Sequence, residues 1–162
     1  MKRFKVYGFF IILLGTILSI IVTGCRSTEN GITVIVVRNN YHGYYSEHKV
    51  DLVAKEYLRA VSIRAEDDVE EYTYKSELTD KKIAAFHRAV KKYGMLSWDE
   101  EYVSPTGSFH SYSWTIIIHY SDSTEKRSFG AYDNYPDSWD DMYEAFFELT
   151  GDFVLTEKRP KS

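Results

Sequence analysis

Apolar and polar positions divide this chain into a leader and a folded part. Val6 to Thr23 run eighteen residues without a charge, behind the basic start carrying Lys2, Arg3 and Lys5. Beyond a polar stretch, Ile32–Val37 is a short β-branched run and predicts a buried strand. Residues 38–48 are polar and rich in tyrosine, with Asn39, Asn40 and Gly43 as turn residues, and predict a loop. The stretches 49–54 and 56–63 read as short strands. Residues 69–76 read as another, following a turn at Asp67-Asp68 and placing Tyr72 and Tyr74 on one face.

The period then changes. Ile83, Phe86, Val90 and Tyr93 recur at helical spacing. Thr79 is a suitable N-cap, Asp80 suits the positive end of the helix dipole, Lys91 and Lys92 suit the negative end, and Gly94 suits the left-handed residue after the helix. Residues 111–120 alternate again. Tyr112, Trp114, Ile116, Ile118 and Tyr120 share one face, and Ser113, Thr115, Ile117 and His119 the other, as in an antiparallel strand with one face on the core. A turn at 121–124 returns the chain as a strand over 125–132. A second helix starts near Pro136, with Trp139, Met142 or Tyr143, Phe146 and Leu149 as its stripe and Gly151 as its stop.

These elements predict an α+β fold: a mostly antiparallel sheet with two amphipathic helices packed on one face. No repeat or second linker is visible, so residues 32–157 are expected to form one domain and 158–162 a tail. Residues 114–149 resemble a pattern in uncharacterised small bacterial proteins. Its parts are an aromatic strand ending Tyr120-Ser121-Asp122, a return strand closing on Gly130, Asn134-Tyr135-Pro136, and an amphipathic helix. The resemblance implies this fold and no particular activity.

The leader decides the compartment. A basic start, an apolar run and small residues make a secretory signal. Such a segment can be removed outright, or remain as a membrane helix, since about eighteen apolar residues just reach across a bilayer. Val22-Thr23-Gly24-Cys25 resembles the lipobox of bacterial lipoproteins, with Val22 where leucine is commoner. That resemblance implies removal of residues 1–24, a diacylglyceryl group on the Cys25 sulfur, and a polar tether over 25–31. Cys25 is the only cysteine, so no intrachain disulfide is possible and the thiol is available for lipid. Two acyl chains hold where one binds only reversibly. The expected place is the cell membrane, lipid-anchored and facing the extracytoplasmic side.

Charge narrows the partners. The chain carries 20 basic and 24 acidic residues; without Lys2, Arg3 and Lys5 the balance is 17 against 24, or −7. An acidic domain is a poor ligand for nucleic acid, and anionic lipid repels it from lying flat.

Candidate chemistry is sparse. The histidines (His42, His48, His87, His110 and His119) form no close metal-binding pair such as H-E-x-x-H, and none is expected to hold a metal. His87 is expected on the flank of the first helix. Residues 133–144 have the length of a calcium loop, with Asp133, Asp137, Asp141 and Glu144 in place. Tyr135 and Ser138 break it, the latter where the turn needs glycine. There is no G-x-S-x-G and no glycine-rich phosphate loop. The acidic clusters 67–71, 99–101 and 140–141 are expected to be solvated, and no cofactor is expected.

Aromatic residues remain, at 16% of the chain, enough to form a recognition surface as well as a core. Tyrosine supplies contact area at low entropic cost. Tyr41, His42, Tyr44 and Tyr45 are therefore the candidate binding residues. The expected function is a non-catalytic binding module on the membrane, for an envelope or extracellular protein, peptide or glycan. The alternatives are an immunity-type lipoprotein that blocks a toxin and an envelope hydrolase with an acidic pair.

Overall fold

The computed structural model describes residues 31–41, 43–62, 71–103, 112–131 and 134–156. The signal and Cys25 lie outside them, as do His42, the Asp67-Asp68 turn, His110, Asp133 and the tail.

Seven strands form one sheet: β1 (Ile32–Tyr41), β2 (Tyr44–Asp51), β3 (Glu56–Ser62), β4 (Tyr74–Glu77), β5 (Glu101–Tyr102), β6 (Tyr112–Tyr120) and β7 (Glu125–Ala131). The helices are α1 (Asp80–Lys92) and α2 (Trp139–Thr150), with a single 3₁₀ turn over Met95–Ser97. The strand order is β4-β3-β2-β1-β6-β7-β5. Every pairing is antiparallel except β5 on β7. This is an α+β fold dominated by its sheet.

The β-branched run at Ile32–Val37 occupies the central strand, paired on both edges. Its register slips between Ile32 and Val34, a bulge that puts Ile32 and Ile35 on one face despite their odd spacing. Ile32, Ile35, Val37 and Asn39 are buried, while Thr33, Val34 and Val36 stay half-buried on the other face.

The tyrosine-rich segment 38–48 is not a loop. β1 continues to Tyr41 and β2 begins at Tyr44, so only two residues connect them. Gly43 takes φ +85°, the left-handed conformation such a turn needs. Asn39 looked like a turn residue, but it is inside β1 with its amide donating to the Val154 carbonyl at 3.0 Å. Tertiary pairing and the tyrosines' β-propensity override the asparagines. Tyr72 and Tyr74 do not share a face either. β4 starts only at Tyr74, and Tyr72 reaches Glu47 while Tyr74 meets the Tyr57 ring.

α1 ends as its sequence dictates. Thr79 accepts a hydrogen bond from the Lys82 amide, and Gly94 takes φ +65°. His87, expected on the flank, is 5% exposed, because it follows Phe86 on the inward side. α2 starts three residues after Pro136, and Gly151 (φ +77°) closes it. Met142 is buried and Tyr143 half-buried, so Met142 carries the stripe.

The core joins Ile35, Val37, Val50, Tyr57, Ile116 and Ile118 of the strands to Ile83, Phe86, Val90, Met142, Phe146 and Leu149 of the helices. At one end Trp114 packs against Trp139, ring centroids 4.6 Å apart, with Trp98 and Tyr135 beside Trp139. Gly130 makes room for Trp114: a Cβ there would lie 2.5 Å from the indole. β5 and the 3₁₀ turn have no counterpart in the sequence pattern, being too short to show a period.

Candidate functional site

The candidate tyrosines sit where β1 and β2 meet. Tyr41 and Tyr44 are direct cross-strand partners, 47% and 61% exposed. The Tyr41 ring meets Tyr112 of β6 edge-on at 6.2 Å. Alternation sends Tyr45 to the other face of the sheet. The structure therefore brings Tyr41 and Tyr44 together and separates Tyr45 from them. His42 lies outside the described residues.

On Tyr45's side, Glu47 is the centre of a polar network. Arg38 Nε donates to its Oε2 at 2.8 Å, Tyr72 OH to its Oε1 at 2.6 Å, and Tyr45 OH to Oε2 at 3.4 Å. Burial pushes the Glu47 pKa up, but the hydrogen bonds from Tyr72 and Arg38 outweigh it and hold the carboxyl below its ordinary value. A buried carboxylate with three donors is satisfied, and it ties β1, β2 and the chain ahead of β4 together.

A second network lies on the core side, between β2, β3 and the end of α2. Asp152 accepts from Arg59 Nη1 at 2.7 Å and from Tyr57 OH at 2.8 Å. With its proton committed there, the Tyr57 oxygen accepts from His48 Nδ1 at 2.7 Å. That fixes the tautomer and leaves the Nε2 lone pair facing the Ser46 hydroxyl at 3.3 Å. Burial is the main cause that lowers the His48 pKa, to about 4, and Arg59 adds to it against the pull of Asp152. Burial and the bond to Asp152 push Tyr57 upward.

The order of donors resembles that of an activated serine, yet the setting is structural. Ser46 pairs with Asn39 on one side and Val61 on the other, within β2, a strand paired on both edges. Its backbone is engaged in the ladder and cannot serve as an oxyanion donor. The chain of bonds works as a latch that fixes the α2 exit to the sheet. Its members Arg59 and Asp152 carry no local sequence signal, because the pairing is 93 residues apart along the chain.

The remaining candidates are dispersed. His119 lies 3.7 Å from Glu125 at the sheet surface. Among the described residues no three of His, Cys, Asp and Glu converge as a metal set. The calcium-like segment becomes a helix start, with Ser138 as N-cap and Asp140 and Asp141 in the first turn. The acidic clusters fall on separate elements: Asp99 to Glu101 at β5, Asp140 and Asp141 on α2, and exposed Glu71 ahead of β4. Comparison with protein-family models and with curated proteins gives no match.

Proposed function

We propose that this chain is a lipid-anchored binding module of a bacterial envelope, held at the membrane through Cys25 and presenting the β1–β2 tip to a partner. The anchoring part rests on the leader and on Val22-Thr23-Gly24-Cys25. In this reading both helices cover the face that carries Trp114 and Ile116, leaving the tip clear of them.

One observation carries the reading. β1 starts at Ile32, next to the tether, and ends at Tyr41. Nine steps of about 3.3 Å separate the two ends by roughly 30 Å. Tyr41 and Tyr44 are thus at the end of the sheet opposite Ile32, flanking a two-residue turn between paired strands; in this reading, with the anchor at Cys25, that end is the one presented to a partner. Aromatics held rigidly lose little entropy on binding.

The test is capture of a crosslinked envelope partner by the full chain. Tyr41→Ser with Tyr44→Ser should weaken capture and leave the urea midpoint nearly unchanged. Tyr45→Ser should do the reverse, since Tyr45 serves the Glu47 network. Equal capture by the Tyr41/Tyr44 variant at equal stability would mean that the binding surface is elsewhere.

A further inference from the structure

The outward side of α2 carries an unusual pairing of features. Its sequence, from Trp139 to Thr150, holds no lysine or arginine, and Asp140, Asp141, Glu144 and Glu148 are exposed. Among the described residues, neither Glu144 nor Glu148 has an ion-pair partner. Beside this acidic ridge lies an aromatic pad. Phe153 stacks on Tyr143 at 5.9 Å and on Phe147 at 5.1 Å, each pair inclined by 23°. Phe153 is 62% exposed and Phe147 37%.

Phe153 is held outward by a fixed backbone. Its amide donates to Asp152 Oδ1, and Asp152 is latched to Tyr57 and Arg59. Val154, next along, is buried, and its carbonyl accepts from Asn39. A large apolar side chain displayed this way is prepared for contact and loses little freedom on docking. Single exposed apolar residues are ordinary, whereas three stacked rings beside the exposed Glu144 and Glu148 form a patch with a definite complement.

The side of the ridge on which a partner lies follows from charge. Across the ridge, the groove of about 600 Å³ between α2 and α1 is lined by Lys81 and Lys82 of α1 and by Asp141, Glu144 and Glu148 of α2. Those lysines already compensate the acids on the groove side, where Lys82 Nζ also donates to the Leu149 carbonyl at 3.3 Å, so a further cation is left the side that the aromatic rings share. On the aromatic side Arg59 is already joined to Asp152 at 2.7 Å.

We propose that the outer face of α2 with Phe153 is the docking surface for a basic, partly apolar segment of a partner protein. Apolar side chains of the segment would lie on Tyr143, Phe147 and Phe153, and its Lys or Arg groups over Glu144 and Glu148. The proposal depends neither on the lipid anchor nor on the Tyr41–Tyr44 tip.

The experiment uses the full chain in nanodiscs of zwitterionic lipid, with empty nanodiscs as the reference. The probe is a synthetic amphipathic peptide of leucine and lysine, with its leucine–glutamate counterpart as control. Expected is saturable binding of the lysine peptide alone, falling as salt rises. Glu144→Lys with Glu148→Lys should weaken it about tenfold or more, as should Phe147→Ser with Phe153→Ser, each such loss corresponding to about 1.4 kcal/mol or more. If the double aromatic variant fails to fold, Phe153→Ser alone decides, since that side chain is mostly in solvent. Equal binding of both peptides, no binding above the empty nanodiscs, or binding unaffected by the charge reversal and by Phe153→Ser would each overturn the proposal.

Discussion

Gly130 and His48 show how single side chains constrain this fold. Gly130 is opposite Trp114 in the β6–β7 register, and a methyl group there would meet the indole at 2.5 Å. Trp114 is 1% exposed and its ring packs against Tyr102, Tyr135 and Trp139. Gly130→Ala should therefore cost about 1–3 kcal/mol, as overpacking does, read from the urea midpoint. A neutral result would mean that Trp114 can shift.

His48 makes a prediction about pH. Its folded pKa, about 4, is below the ordinary histidine value of 6.5. The unfolded chain then takes up the proton first as pH falls. The stabilisation is complete above about 6.5 and is lost progressively toward about 4, on the order of 3 kcal/mol in all. His48→Gln cannot titrate there, so its stability should fall less between those pH values. Carboxylates titrate in both proteins, and parallel curves would contradict the buried neutral histidine. Neither feature was legible in the sequence. The need for glycine at 130 comes from an indole 16 residues away on the neighbouring strand, and His48 looked like one of two histidines in a loop.

Among the elements, those with a long clean period were legible and the rest were not. The alternation over 112–120 placed Trp114 and Ile116 inward, and both are 1% exposed. Thr79 and Gly94 marked the ends of α1 because capping is a local interaction. The β1–β2 hairpin was missed because its polar residues are satisfied at long range: Asn39 by Val154, and Arg38 and Glu47 by each other across the strands. Local sequence shows such residues as polar and gives no sign of their partners. The placement of the candidate tyrosines was only half legible for the same reason. The clustering of the tyrosines agrees with Tyr41 and Tyr44 lying side by side and exposed, but strand alternation, invisible while the segment read as a loop, turned Tyr45 away. At this scale Ile116→Ala should cost about 2–5 kcal/mol through the cavity it leaves. A loss below about 0.5 kcal/mol would contradict the core position of β6.

Across the described residues, the sheet's central strand runs from Ile32 to the exposed Tyr41. The molecule's function as proposed here depends on which end faces the membrane, and that depends on Cys25. Intact mass spectrometry of the full-length protein from the membrane fraction tests this most directly. The account predicts a chain that begins at Cys25, lacks residues 1–24, and carries the added mass of a diacylglyceryl group, with Cys25→Ser losing both the modification and membrane retention. A wild-type chain with a free Cys25 thiol, or a Cys25→Ser chain kept in the membrane by an uncleaved leader, would contradict it.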